Sequence, residues 1–305
     1  MPSAALLSGD EREIVAAAGR LEARALDTER ADLARAAEDP GKALDERLRA
    51  GLALSLIGDP RIGDEPLVIT LPPGPAVIGT PAEDVDALTR RYPNTERAHF
   101  AKETPRHRAH VQLFALAKYP VTNHEYARFV ADAAHAAPAW WGGSEPPQRM
   151  RNHPVRDVSW GDAVAYCRWL TVRTGRIYRL PDEREWEKAA RAGDDREFPW
   201  GSDFDRSRAN TKEAAIGDTT PIGCFGAAGL GFFDLAGNVE EWTNSWFRLY
   251  EGSSADPAGY AGETRVTRGG SFAQGAELAR CARRHGPYAG VRGIGFRLVR
   301  GLTGR

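Results

Sequence analysis

Alanine and leucine recur at helical spacing, with charges between them, through EREIVAAAGRLEARALDTERADLARAAED (11–39). A second such run, ALDERLRAGLALSLIG (43–58), comes after Asp39-Pro40-Gly41 and stops at Gly58-Asp59-Pro60. The pattern predicts two helices within 10–57, an αα-hairpin of the HEAT-like kind. One hairpin cannot bury both of its faces, so it is expected to brace against the rest of the chain or against a partner. Residues 1–62 are read as this helical unit, and 67–305 as a second domain.

From residue 67 the periodicity shortens. VITLPPGPAVIGT alternates like a strand broken by proline and glycine. HVQLFALAKYPVTNHEYARFVADAA predicts a strand, a turn at Tyr119-Pro120 and a helix capped near Thr122 or Asn123. SWGDAVAYCRWLTVRTG predicts a helix capped by Ser159 and closed at Gly175. RLPDEREWEKAARAG predicts another, with acids in its first turn where they suit the helix dipole. Beyond Gly193 little periodicity remains until strands near Arg265–Thr267 and Gly295–Val299.

Composition adds limits. With 305 residues and a formal net charge of −1, nothing global points to nucleic acid or to a membrane surface. No apolar run approaches the roughly 18–20 residues of a membrane span, and the N-terminus shows no signal-peptide pattern. Three scattered cysteines, Cys167, Cys224 and Cys281, are too few for a disulfide framework. A cytoplasmic location is the expectation.

The segments YPVTNHEYARFV, HPVRDVSWGDAVAYCRWL, YRLPDEREWEKAARAG, FPWG, ANTKE, FFDLAGNVEEWTNSW, RGGSF and GIGFRLVR occur in an order that resembles the formylglycine-generating enzyme, or sulfatase-modifying factor, family. The likeness runs over about 67–300. It implies an α+β, C-type-lectin-like fold: irregular and loop-rich, with twisted antiparallel strands and two flanking helices. A fold so poor in regular structure needs aromatic pins. Trp160, Trp169, Trp186, Trp200, Trp242 and Trp246 are expected in its core.

Calcium takes six to eight oxygens, mixing carboxylates with carbonyls. In the resembling enzymes the stretch Asp234–Trp242 binds calcium, which implies Asp234 and Glu241 side chains with the Gly237 and Val239 carbonyls. A second candidate set is Asn210, Thr211, Glu213, Asp218 and Thr220. Ordinary cap and turn chemistry would use the same residue types. One or two structural calcium ions are therefore expected.

The family's oxidase needs two thiolates, which hold one copper ion. The resemblance places both in the loop after the GGS turn, where this chain reads FAQGAELA; Gln274 stands at the first position. Copper is not expected. Cys167 and Cys281 match structural positions and are expected as buried free thiols. Related sulfoxide synthases draw a three-histidine iron site from an N-terminal bundle, yet the first 98 residues hold no histidine. His107 and His110 precede or enter a strand and would point apart. No nucleophile elbow, P-loop or dinucleotide fingerprint is present. The acids of PDEREWE are expected to satisfy amides and pair with Arg184 or Lys188.

From Thr264 onward there are nine arginines, no lysine and one acid, Glu277. Arg280 and Arg297 are expected in buried pairs with upstream carboxylates. Gln274, Glu277, Arg283, Arg284, His285, Tyr288, Val291 and Arg292 are expected on a ligand-facing surface, with Trp140-Trp141 and the 242–247 segment nearby. A merely solvated basic face would share that composition. The chain is also similar to the variable proteins of diversity-generating retroelements, which bind partners between the GGS turn and the final GFR strand. The reading is a non-catalytic module that binds an unidentified protein or small molecule through loops 273–294. The alternative is an oxidoreductase of the same family, sulfoxide-synthase-like, using non-haem iron or another metal and needing a partner chain.

Overall fold

The computed structural model describes residues 4–256, 264–286 and 292–302. Three helices open the chain: α1 (Glu11–Ala18), α2 (Ala23–Glu38) and α3 (Leu44–Ile57). The first predicted run is thus two helices, because the chain turns after Gly19, a poor helix former, and restarts at Ala23. Asp10 caps α1, accepting the amides of Arg12 and Glu13 at 2.9 Å.

Leu6, Ile14, Leu33, Leu54 and Ile57 fill the centre of this layer, and Cys224 and Phe225 from farther along the chain complete the same cluster. Arg47 Nη1 donates to the Cys224 carbonyl at 2.6 Å, and Ser55 Oγ to that of Gln148 at 2.8 Å. A Cβ on Gly51 would stand 2.6 Å from the Pro221 ring, so only glycine lets α3 lie this close. The change of texture at 62–67 is therefore not a gap in packing.

The chain continues through β1 (Val68–Leu71), β2 (Gly74–Ile78), two short helices α4 (Val85–Arg91) and α5 (Arg97–Ala101), then β3 (His107–Val111) and β4 (Phe114–Ala117). Next come α6 (Asn123–Ala133), α7 (Trp160–Thr174), β5 (Tyr178–Arg179) and α8 (Glu183–Arg191). The last strands are β6 (Glu240–Trp246), β7 (Arg265–Arg268), β8 (Ile294–Gly295) and β9 (Val299–Arg300). Capping boxes start the three longer helices of the domain, at Thr122 with Glu125, Ser159 with Asp162 and Asp182 with Glu185.

Three small sheets form: an antiparallel β1-β4-β9-β5, the hairpin-like pair β2-β3, and β7-β6-β8, in which β8 runs parallel to β6. Tyr126, Tyr166, Phe296 and Trp242 lie in one core, and Trp186, Phe114 and Phe232 in another. The tryptophan expectation holds fully for Trp186 and Trp242; Trp160, Trp169 and Trp200 are half-buried. Trp246 is 43% exposed at the end of β6, beyond a register shift that separates it from the buried Trp242, while Phe247 just past the strand goes in. It stacks on Arg265, whose guanidinium carbon lies 3.6 Å from its ring centre and 4.0 Å from that of Trp160.

Among the described residues no helix is long and apolar enough to cross a membrane.

Candidate site at the C-terminal loops

β6 carries two adjacent acids, and strand alternation sends them to opposite faces. Glu241 points into the core, where both its oxygens are taken: Arg297 Nε and Nη2 donate at 2.7 and 2.6 Å, and Trp186 Nε1 at 2.7 Å. Arg297 Nη2 also donates to the Phe233 and Asp234 carbonyls at 2.9 and 3.2 Å. The Asp234 carboxylate accepts from Gly223 N at 2.8 Å and Asn238 Nδ2 at 3.1 Å, and burial pushes it up to about 6. Arg297 thus takes the Glu241 carboxylate expected on calcium, while the Asp234 carboxylate is engaged by Gly223 and Asn238. Gly237 serves contact instead: at φ 76° it lets Asn210 pass so near that a Cβ would meet its carbonyl oxygen at 2.4 Å.

Glu240 faces the other way and is buried. It accepts from Thr267 Oγ1 at 2.6 Å and Gln274 Nε2 at 3.3 Å, and its Oε1 lies 3.1 Å from His285 Nδ1. Burial pushes the Glu240 carboxyl up, but His285 and the two other donors outweigh it and hold it below the usual carboxylate range. An ionised Glu240 favours the proton on Nδ1 of the imidazole. Gln274 Oε1 is buried without a hydrogen-bond partner among the described residues. The lip is held by Lys212 N donating to the Gln274 carbonyl at 2.8 Å and Ala276 N to Glu213 Oε1 at 3.0 Å.

Phe272 and Trp140 flank Arg156, whose guanidinium carbon is 4.2 Å from the Trp140 ring centre and 5.7 Å from that of Phe272. Arg156 Nε lies 3.2 Å from Asp218. Trp141, by contrast, is buried on Asn123.

Arg283 and Arg284 are not on the ligand surface; both are buried. Arg284 Nη2 donates to Glu183 at 2.7 Å and Nη1 to the Arg248 carbonyl at 2.8 Å, with the Phe247 and Tyr250 rings beneath. Arg283 Nη1 donates to the His99 carbonyl at 3.2 Å and lies 3.8 Å from Glu103. A guanidinium matched to a buried carboxylate and carbonyls is better satisfied inside than in water. Arg280 pairs with Glu103, and Arg268 with Glu187, in the same manner. Arg297 and Arg280 thus take upstream carboxylates as expected. Glu183, Glu185 and Glu187 pair with Arg284, Arg179 and Arg268 rather than with Arg184 or Lys188.

Gln274, His285 and Glu277 are half-buried and Arg292 is exposed; Tyr288 and Val291 lie outside the described residues. All three thiols are buried, and burial pushes each up to about 12.

At the second calcium candidate, Asn210 Nδ2 donates to the Asp218 carbonyl at 2.9 Å, while Asn210 Oδ1 and Thr220 Oγ1 are buried without partners among the described residues. Glu213 is spent on Thr211 Oγ1 and the Ala276 amide. The Thr211 and Thr220 carbonyls accept from Ala214 N at 2.9 Å and Asn238 Nδ2 at 3.2 Å, and Asp218 accepts from Thr219 N at 2.7 Å beside Arg156, so Asn210 Oδ1 and Thr220 Oγ1 are the open oxygens of this set. Among the described residues no three His, Cys, Asp or Glu side chains gather as metal ligands.

The model of the sulfatase-modifying factor enzyme 1-like domain matches residues 56–302. The chain belongs to this family. Among its curated relatives, mouse (Mus musculus) formylglycine-generating enzyme is 33% identical over 201 residues, covering 55% of this chain and 52% of its own length. Hercynine oxygenase of Mycolicibacterium smegmatis is 31% identical over 274 residues, covering 74% of this chain and 60% of its own. The chain therefore spans about half to three fifths of these relatives. PvdO from Pseudomonas aeruginosa superposes with a TM-score of 0.62 at 26% identity, covering 79% of this chain and 96% of PvdO. Treponema denticola variable protein 1 gives 0.60 at 20% identity, covering 76% and 94%, which speaks to the C-type-lectin-like fold alone.

The site residues that sequence reasoning missed are Glu240, Thr267 and Arg156. The doubled acid in GNVEEW was the signal available: two carboxylates cannot both enter one face of a strand, so one had to serve the loop side.

Proposed function

We propose that this chain is a non-catalytic binding module on the sulfatase-modifying-factor frame, with its recognition site where Gln274, His285 and Glu240 meet beside Phe272 and Arg156. One observation carries the reading: the loop that would bear the oxidase thiols bears Gln274 bonded to a buried carboxylate, and every thiol lies elsewhere, buried. The open Gln274 Oε1, beside the Glu240 carboxylate, calls for a ligand or partner that donates an N–H or O–H bond. Loops 273–294 are the recognition surface in this reading, as in the variable proteins the chain resembles. Structural calcium belongs to one site, the Asn210–Thr220 set, where it would supply the positive charge that the open oxygens lack.

A second reading is favoured by the Glu240–His285 contact, since a carboxylate orienting an imidazole is also the arrangement of an acid–base site. It makes the chain a family oxidoreductase, resembling hercynine oxygenase, whose redox metal is held with ligands from a partner chain.

Metal analysis of chelator-free protein, with thermal melts before and after EDTA, separates the two. Calcium near one equivalent, no iron or copper, and a melt lowered by EDTA are expected; stoichiometric iron or copper overturns the binding reading.

A further inference from the structure

Where the helical layer meets the domain lies a cleft of about 390 Å³, away from the C-terminal loops. That volume is in the range of small-molecule sites. Pro60 and Ile62 give it an apolar wall over the buried Leu54, and Asp59, Asn152, His124 and Arg151 also line it.

Asn152 is 1% exposed. Its Nδ2 donates to the Gly51 carbonyl and to Asp59 Oδ2, both at 2.9 Å. Those two acceptors fix the amide: turned over, it would set its own oxygen against both. Its Oδ1 is left buried with no hydrogen-bond partner among the described residues, an arrangement that calls for a donor from outside the chain. Asp59 is paired with Arg61, whose Nε and Nη2 donate at 2.8 and 2.6 Å. Arg30, on the helical side, is committed to the Ile57 carbonyl and to Asp27. Arg151 is held only loosely: its nearest acid, Glu145, is 3.6 Å away, and its side chain is 42% exposed.

We propose that this cleft binds a free α-amino acid with an aliphatic side chain: its ammonium on the Asn152 and Asp59 oxygens, its carboxylate on Arg151, its side chain on Pro60 and Ile62. The site takes residues from both layers, and Leu54 precedes the part of the chain that matches the family model. A seated ligand ties the helical layer to the domain.

The test is a thermal-melt panel of the full chain with each proteinogenic L-amino acid, then calorimetric titration of the strongest responder. An aliphatic amino acid in about 100-fold excess over its Kd should raise Tm by on the order of 5 °C. Its N-acetyl and carboxamide forms should lose the effect. Arg151→Ala, at the rim, should melt like the parent chain and respond at least tenfold more weakly, a factor worth about 1.4 kcal/mol. The proposal is overturned if no amino acid shifts the melt, if all shift it equally as excluded co-solvents do, or if the blocked forms or Arg151→Ala respond like the originals.

Discussion

Arg297 and Glu241 meet fully buried in the core, joined by two hydrogen bonds of 2.6 and 2.7 Å, and Arg297 comes from the GFR motif while Glu241 lies 56 residues earlier. The pair closes the chain on itself by charge. Removing one partner leaves the other as an uncompensated charge in a medium that solvates it poorly.

Arg297→Met is accordingly expected to cost about 3–5 kcal/mol, read as a lower midpoint in urea at unchanged slope. The double change with Glu241→Leu should recover most of that loss. A double variant no more stable than the single one would show that the pair is not what holds this region.

His153 gives the protein an acid-sensitive element. It is half-buried with Nδ1 3.1 Å from Thr219 Oγ1, and desolvation of the ring holds its pKa down at about 3. In the unfolded chain the imidazole titrates near 6.5, so below that pH the unfolded state binds the extra proton. The stability it contributes is present above pH 6.5 and is lost as pH falls toward 3, in total at most about 5 kcal/mol. His153→Gln should flatten stability between pH 6.5 and 4, checked by urea unfolding across that range.

The seam at Gly51 predicts thiol reactivity. Native Cys167, Cys224 and Cys281 should resist maleimide for hours, being buried and un-ionised. Gly51→Val forces α3 off Pro221 and uncovers Cys224, which lies in the shared cluster. Mass spectrometry should find labelling at Cys224 alone; equal labelling of all three would mean global unfolding instead.

The tryptophans separate by environment. Trp242→Ala should cost about 3–5 kcal/mol, as a buried ring with its Nε1 bonded to the Val158 carbonyl at 2.9 Å. Trp246→Ala removes an exposed ring stacked on Arg265 and should cost about 1 kcal/mol or less. Comparable losses would contradict the outward placement of Trp246.

What the sequence disclosed was local. Ser159, Thr122 and Gly175 end their helices as read, because a cap is decided within four residues. The motif order disclosed the fold. The helical segment was legible as helix but its break at Gly19 was weakly marked. The arginines were harder: Arg284 pairs with an acid 101 residues away, and Arg280 with one 177 away. At such separations composition alone cannot distinguish a binding anchor from a core clasp. The site obeyed the same rule, since Gln274 was visible from its place in the loop, whereas Glu240 required knowing which way β6 faces.

The sheet order β1-β4-β9-β5 has a temporal meaning. β9 is synthesised after every other strand named here, yet it lies in the interior of its sheet, with β4 on one side and β5 on the other. Until Val299 and Arg300 leave the ribosome, β5 has no strand to pair with, and Arg297 has not reached Glu241. The nascent domain therefore waits, half-assembled, for the segment that runs from Ile294 to Arg300. A premature stop just ahead of Phe296 would remove the keystone of the whole domain rather than trim a dispensable tail.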